Sequence, residues 1–179
     1  MAFSGSKKKV DTEEQLYEYA VGVLARRMRT VAELKRLLRQ KVEAQTEIGQ
    51  TLVELIIRRL KDHGYLNDAK YAAAYSSFRR DNERFGRMRV VTDLKAKGVH
   101  GDVIDKAVSA AFTDINEEKQ ARAYLQRKRL AKPKDEKQAA RIFRQLVRAG
   151  FRWQTIITIL KKWDVDEETL TALEGENPD

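Results

Sequence analysis

The sequence predicts an all-α protein built of three tandem three-helix repeats. Three observations point that way. The stretches Glu33–Lys41, Arg87–Lys97 and Gln138–Arg148 are each basic with helical apolar spacing, are each followed by a short apolar segment, and each sit mid-way through a unit of about 50 residues. Laid on one another they bring Leu34, Val90 and Ile142 into register, and likewise Leu38, Leu94 and Leu146, at offsets of 56 and then 52 residues. Repetition at such a period marks stacked helical units. Charged residues, 35% of the chain, alternate with apolar ones at helical spacing, unlike the unpatterned polarity of a disordered chain. With 9 Gly and 2 Pro, at Pro133 and Pro178, the chain also lacks the punctuation of a β-rich fold.

The first repeat opens with a helix over about 12–28, where Leu16, Ala20, Val23 and Leu24 mark one face. Thr30-Val31-Ala32-Glu33 fits a capping box and starts a second helix, with Leu34, Leu37 and Leu38 as its apolar stripe and Lys35, Arg36 and Arg39 projecting elsewhere. A third helix over 47–63 is expected to turn Ile48, Leu52, Leu55, Ile56 and Leu60 inward, and Gly64 is its left-handed stop. Asn67 or Asp68 caps the next helix, whose Tyr71, Tyr75 and Phe78, at i, i+4 and i+7, read as core side chains rather than a base-stacking platform.

After Phe85-Gly86 the second middle helix runs from Arg87 to Lys97 and ends at Gly98, and Val103, Ile104, Ala107, Val108 and Ala111 form the face of a short helix. The third repeat begins near Asn116 with Ala121, Tyr124 and Leu125 inward, and Lys132-Pro133-Lys134 forces a turn. Ile142, Phe143, Leu146 and Val147 form the next buried stripe up to Gly150, followed by Trp153, Ile156, Ile157 and Leu160. The expected boundaries are a basic flexible tail over 1–11, repeats over 12–64, 65–113 and 114–165, and an acidic tail over 166–179 that frays or folds back weakly on the basic body.

Charge narrows the function. From Asp166 onward there are six acidic residues and no basic ones, so the preceding 165 residues hold 36 basic against 21 acidic side chains, a balance of +15. Such a body attracts polyanions, nucleic acid or an acidic protein surface. There is no cysteine, and His63 and His100 stand alone beside helix-ending glycines, so neither thiolate chemistry nor a zinc site is expected. No Gly-rich phosphate loop occurs, and Asp62, Asp68 and Asp81 are spread over separate helical positions. Catalytic, cofactor-binding and metal-binding residues are therefore expected to be absent. Met1–Lys9 is charged with no apolar stretch behind it, and no apolar run approaches about 18 residues, so a cytoplasmic location without membrane contact is expected.

The basic residues recur by unit. Arg26, Arg27, Arg29, Lys35, Arg36 and Arg39 crowd the first, Arg87, Arg89, Lys95 and Lys97 the second, and Arg141, Arg144 and Arg148 share one helical face of the third. Lys41, Lys97 and Arg148 also suit the negative ends of their helices, so the recurrence rather than any one side chain carries the functional expectation. If the units stack, equivalent helices align these charges along one surface suited to a phosphate backbone or a filament groove.

One string is more distinctive. Gly64-Tyr65-Leu66-Asn67-Asp68, then Tyr71-Ala72, Tyr75 and Phe85-Gly86, stand in order with Leu24-Ala25-Arg26-Arg27, Glu33-Leu34, Lys97-Gly98-Val99 and Arg148-Ala149-Gly150-Phe151. From about Tyr17 to Trp163 the chain resembles the RecX family of recombinase regulators. The resemblance implies a curved, elongated molecule of three-helix repeats that lodges in the groove of the RecA filament on single-stranded DNA. It implies suppression of RecA ATPase, strand exchange and co-protease stimulation, hence a monomeric, non-enzymatic regulator of homologous recombination and the SOS response, with double-stranded DNA as a further partner. Val42 replaces the glycine of the later units, so the first middle helix is expected to run on toward Gln45, and Asn67 stands at a place often acidic in the family. Two other readings fit the charge: a RecA-independent DNA-binding protein of helix-turn-helix type, against which no unit offers a clear recognition helix, and a helical-repeat adaptor for an acidic protein.

Overall fold

The computed structural model describes residues 12–42 and 46–175, and among these it contains ten α-helices and no strand. They are α1 (Glu13–Arg26), α2 (Val31–Arg39), α3 (Glu47–Asp62), α4 (Asp68–Asp81), α5 (Arg87–Ala96), α6 (Gly101–Phe112), α7 (Glu117–Arg127), α8 (Glu136–Arg148), α9 (Trp153–Lys161) and α10 (Glu167–Gly175). The expected tail over 1–11 lies outside the described residues, as does Gln45. The all-α expectation holds.

Side-chain oxygens start α1, α2, α3, α4, α7, α8 and α10. Thr12, Thr30, Thr46, Asn67, Asn116, Asp135 and Asp166 each accept an amide N–H three residues on, at 2.7–3.3 Å, satisfying donors that the first turn leaves open. Thr30 completes the expected capping box, because Glu33 accepts its N–H in return. Gly64, Gly98 and Gly150 follow α3, α5 and α8 with positive φ. The first middle helix does not run on: α2 ends at Arg39 with Gln40 as its cap, because the Gln40 and Lys41 amides already turn back to the Leu37 and Leu38 carbonyls.

Packing divides the chain into two compact units, Met1–Ala72 with Lys95–Val103, and Ala73–Leu94 with Ile104–Asp179. In the first, α1, α2 and α3 close on Leu16, Ala20, Leu34, Leu38, Val53, Ile56, Ile57 and Leu60. The expected inward face of α3 is only partly right. Ile48 is 80% exposed and Leu55 42%, whereas Val53 and Ile57 are buried. Apolar residues cover more than one face of α3, so either set satisfies helical spacing, and packing against α1 and α2 selects between them.

In the second unit, α7, α8 and α9 enclose Ala121, Tyr124, Leu125, Ile142, Phe143, Leu146, Ile156 and Leu160. Trp153 stands edge-on to Phe143 with ring centroids 5.3 Å apart. Helix α10 packs on α8, with Leu170 and Leu173 buried in this same core. The segment from Asp166 is thus not a loose acidic appendage where it is described. The aromatic row of α4 is also only partly core: Tyr71 is buried, Tyr75 half-buried and Phe78 53% exposed. Among the described residues no helix is long and apolar enough to cross a membrane.

Candidate functional site

Two junctions between middle helices gather most of the chemistry, one in each unit. In the first unit the start of α2 meets the end of α5. The Thr30 hydroxyl donates to the Lys97 carbonyl at 2.7 Å, the Lys97 ammonium donates to Glu33 at 3.1 Å, and the Val31 N–H donates to Asp68 at 2.9 Å. Ala32 presses against Gly98, where a Cβ would overlap its methyl. The Lys97 ammonium also lies 5.8 Å from the centroid of the Tyr71 ring.

These contacts set the charges. Burial works to raise the Glu33 pKa, but the Lys97 hydrogen bond, the Thr30 N–H and the charges of Lys97 and Arg27 outweigh it and hold the carboxyl below its ordinary value. Burial likewise opposes the Lys97 charge, yet Glu33 and Tyr71 raise its pKa above the usual lysine value. Asp68 goes the other way: burial outweighs the Val31 N–H and pushes its carboxyl up. Beside this clasp Arg36, Lys95 and Lys97 line an open depression of about 260 Å³ together with Glu33.

In the second unit the start of α5 meets the end of α8 in the same manner. The Gly86 N–H donates to the Ala149 carbonyl at 2.8 Å and the Met88 N–H to the Gly150 carbonyl at 3.1 Å. By the repeat offsets Gly86 is the counterpart of Thr30 and Ala149 that of Lys97, so the acceptor carbonyl is the equivalent one in both junctions. A Cβ on Gly86 would overlap the Gly150 carbonyl, and one on Gly150 would overlap the Arg89 backbone. Both glycines are needed for this approach. Here Arg89, Lys128 and Arg148 line a depression of about 350 Å³ together with Phe85, Tyr124 and Gln145.

The structure thus brings Arg36, Lys95 and Lys97 together, and separately Arg89 and Arg148. Apart from Arg27, whose charge acts on Glu33 at the first junction, it does not gather the remaining candidates with them. Lys35 is paired with Glu54 at 2.7 Å, and Arg87 donates to Ser109 at 2.9 Å. Arg26 and Arg29 border another depression with Tyr19 and Leu37, while Arg27, Arg39, Arg141 and Arg144 are exposed on their own elements. Lys128 is not among the sequence-predicted residues, although the run Arg127-Lys128-Arg129 at the end of α7 is a basic cluster like that of Arg26, Arg27 and Arg29 at the end of α1.

The residues of the distinctive string act structurally. Leu66, Tyr71, Ala72 and Phe151 are buried, Tyr65 is exposed, and the Tyr65 and Phe151 amides return to the Leu60 and Leu146 carbonyls, closing the ends of α3 and α8 alike. His63 caps α3 and shares a 2.9 Å hydrogen bond with the Tyr17 hydroxyl. Among the described residues no three His, Asp or Glu side chains form a metal-holding group.

A family model described as the second three-helix domain of RecX matches residues 67–108. The regulatory protein RecX of Deinococcus radiodurans is 33% identical over 170 residues, spanning 90% of this chain and 76% of its own length. The chain belongs to the RecX family. The regulatory protein RecX of Bacillus subtilis is 30% identical over 164 residues, 89% of this chain, and the chain spans about 60% of that relative's length. The crystal structure of RecX from Lactobacillus salivarius shares the fold, with a TM-score of 0.68 at 22% identity over 85% of this chain and 96% of that one. Both relatives are named as regulatory proteins.

Proposed function

We propose that this chain is a non-enzymatic regulator of the RecA filament on DNA, acting in the cytoplasm as a monomer through the three repeats 12–64, 65–113 and 114–165. The observation that carries this reading is the pair of equivalent helix junctions, each bordered by a depression rich in Lys and Arg, in a chain of RecX sequence. Contacts at separate points of one folded chain raise effective concentration without any deep pocket. Regulation then follows from unequal affinity for filament states, and its size cannot exceed that difference. The sign of the effect is inhibition: ATPase, strand exchange and co-protease stimulation fall as the protein occupies the filament.

The test is a titration of the cognate RecA's single-stranded-DNA-dependent ATPase. Inhibition at well below one protein per RecA subunit is expected, because a block in a polymer propagates. An unchanged ATPase, with DNA binding intact, would favour the plain DNA-binding reading instead.

A further inference from the structure

We infer that the second junction, and not the first, is a subsite for a backbone phosphate of single-stranded nucleic acid, held by Arg89, Lys128 and Arg148. The inference deepens the filament reading and rests on it for the identity of the strand. The argument is a comparison of two equivalent places in one chain. At the first junction the cations meet an internal anion: Glu33 stays ionised beside Lys97 and shares the depression with Arg36 and Lys95. An incoming phosphate there would face a resident carboxylate. At the second junction the counterpart of Glu33 is Arg89 and that of Lys97 is Ala149. The carboxylate has been replaced by a guanidinium, and the depression is lined by three cations and no acid.

Of those cations Arg89 shares its charge with one carboxylate behind the depression, whereas Lys128 rests on an aromatic ring. Lys128 stands 5.9 Å from the Tyr124 ring centroid and Arg89 5.7 Å from that of Phe85, so aromatic faces hold both while leaving the Lys128 charge available. Arg89 is also ion-paired, its Nε 3.0 Å from Asp93 Oδ1, while the other oxygen of that carboxylate accepts from Arg79 at 2.7 Å and from the Tyr75 hydroxyl at 3.1 Å; Asp93 does not line the depression. A weak 3.5 Å bond from the Arg89 guanidinium to the Arg148 backbone carbonyl sets Arg89 beside the end of α8. Arginine forks match phosphate oxygens, and half-buried Phe85 and Gln145 beside them, with the buried Tyr124 beneath as a floor, offer sugar and base an aromatic and hydrogen-bonding wall. An acidic polypeptide would use the charges but not the wall, which favours nucleic acid.

The experiment measures binding of a labelled oligothymidylate to the full chain by fluorescence anisotropy, without recombinase, across a salt series. Lys128→Gln with Arg148→Gln, both exposed side chains, is expected to weaken binding about ten-fold or more and to reduce the salt slope by roughly 0.7, the value for one single-strand phosphate contact. Arg36→Gln with Lys95→Gln removes the same charge from the first depression and is expected to weaken binding less than about three-fold. A second variant, Arg89→Glu, puts the first junction's carboxylate into the second depression and is expected to abolish the contact while circular dichroism stays helical. Equal losses in the two glutamine pairs would show that only net charge matters and would overturn the subsite. So would undiminished binding in the Lys128/Arg148 pair, or displacement of the label by a polyglutamate of equal charge as readily as by unlabelled oligothymidylate. The RecA ATPase titration of the same proteins separates the two readings: a wild type that leaves ATPase unchanged removes the filament reading alone, and normal oligonucleotide binding by the variants removes the subsite alone.

Discussion

The Thr30 hydroxyl and the Lys97 carbonyl, 67 residues apart, meet at 2.7 Å, and the same hydroxyl caps α2 by accepting the Glu33 N–H at 3.1 Å. One fully buried side chain thus serves the start of one helix and the end of another. Thr30→Val keeps the shape but leaves a buried amide and carbonyl without partners. The expected cost is about 2–3 kcal/mol, combining a lost cap with an unsatisfied acceptor. Thr30→Ser should recover most of it. Urea denaturation of the three proteins at equal m-value decides the matter, and a cost below about 0.5 kcal/mol for Thr30→Val would refute the double role.

Glu33 gives that junction a pH dependence. Its folded pKa lies below its ordinary value of 4.5, so its stabilisation is fully present above that value and is lost as pH falls through the lower, folded one. For Lys97, raised above 10.5, the contribution is fully present below that value and is lost as pH rises through the folded one. Glu33→Gln should therefore cost about 1 kcal/mol across neutral pH, the scale of a partly buried ion pair, with the gap to wild type closing as pH falls through the acidic window. Parallel denaturant titrations from pH 7 down to pH 3 measure it. A gap that is constant with pH would mean the carboxylate's charge is not what matters.

Much of this was legible in the chain itself, for reasons that differ by element. The Thr30–Glu33 box and the cap at Asn67 are local chemistry, readable without knowing the fold. The stripes of α8 and α9 are narrow and unambiguous, so Ile142, Leu146, Ile156 and Leu160 were placed in the core correctly. Helix α3 defeated the same method because Ile48 and Leu55 fit a helical face as well as Val53 and Ile57 do, and only tertiary packing distinguishes them. Recurrence picked out Arg89 and Arg148 but could not separate them from Lys35, whose charge Glu54 takes up across 19 residues of sequence. Glu33 was read as a cap alone; its grip on Lys97 is a long-range fact with no local signature.

The glycines after α3 and α8 allow a controlled comparison. Gly64 has φ +74 with open space where a Cβ would go, whereas Gly150 has φ +85 and the Arg89 backbone in that space. Gly64→Ala should then cost only the left-handed penalty, about 1–2 kcal/mol. Gly150→Ala adds an overlap with main chain that cannot swing aside and should cost at least about 2 kcal/mol more. Melting temperatures of the two variants rank them, and equal losses would show that α5 is not held against α8 as closely as the junction requires.

Helix α10 looks acidic and dispensable by composition, yet Leu170 and Leu173 are 2% and 3% exposed in the core shared with α8. Removing buried leucine side chains leaves cavities that neighbouring helices fill only in part. Leu170→Ala and Leu173→Ala should each cost about 2–4 kcal/mol, far more than substitution of an exposed residue on the same helix, such as Thr171→Ala, at about 0.5 kcal/mol. If α10 instead acted only as a detachable acidic competitor for nucleic acid, the leucine variants would unfold at the wild-type midpoint and bind oligothymidylate more tightly. Thermal denaturation together with the oligonucleotide anisotropy assay separates these outcomes, with the expected result being lowered midpoints and unchanged affinity at temperatures where the variants remain folded.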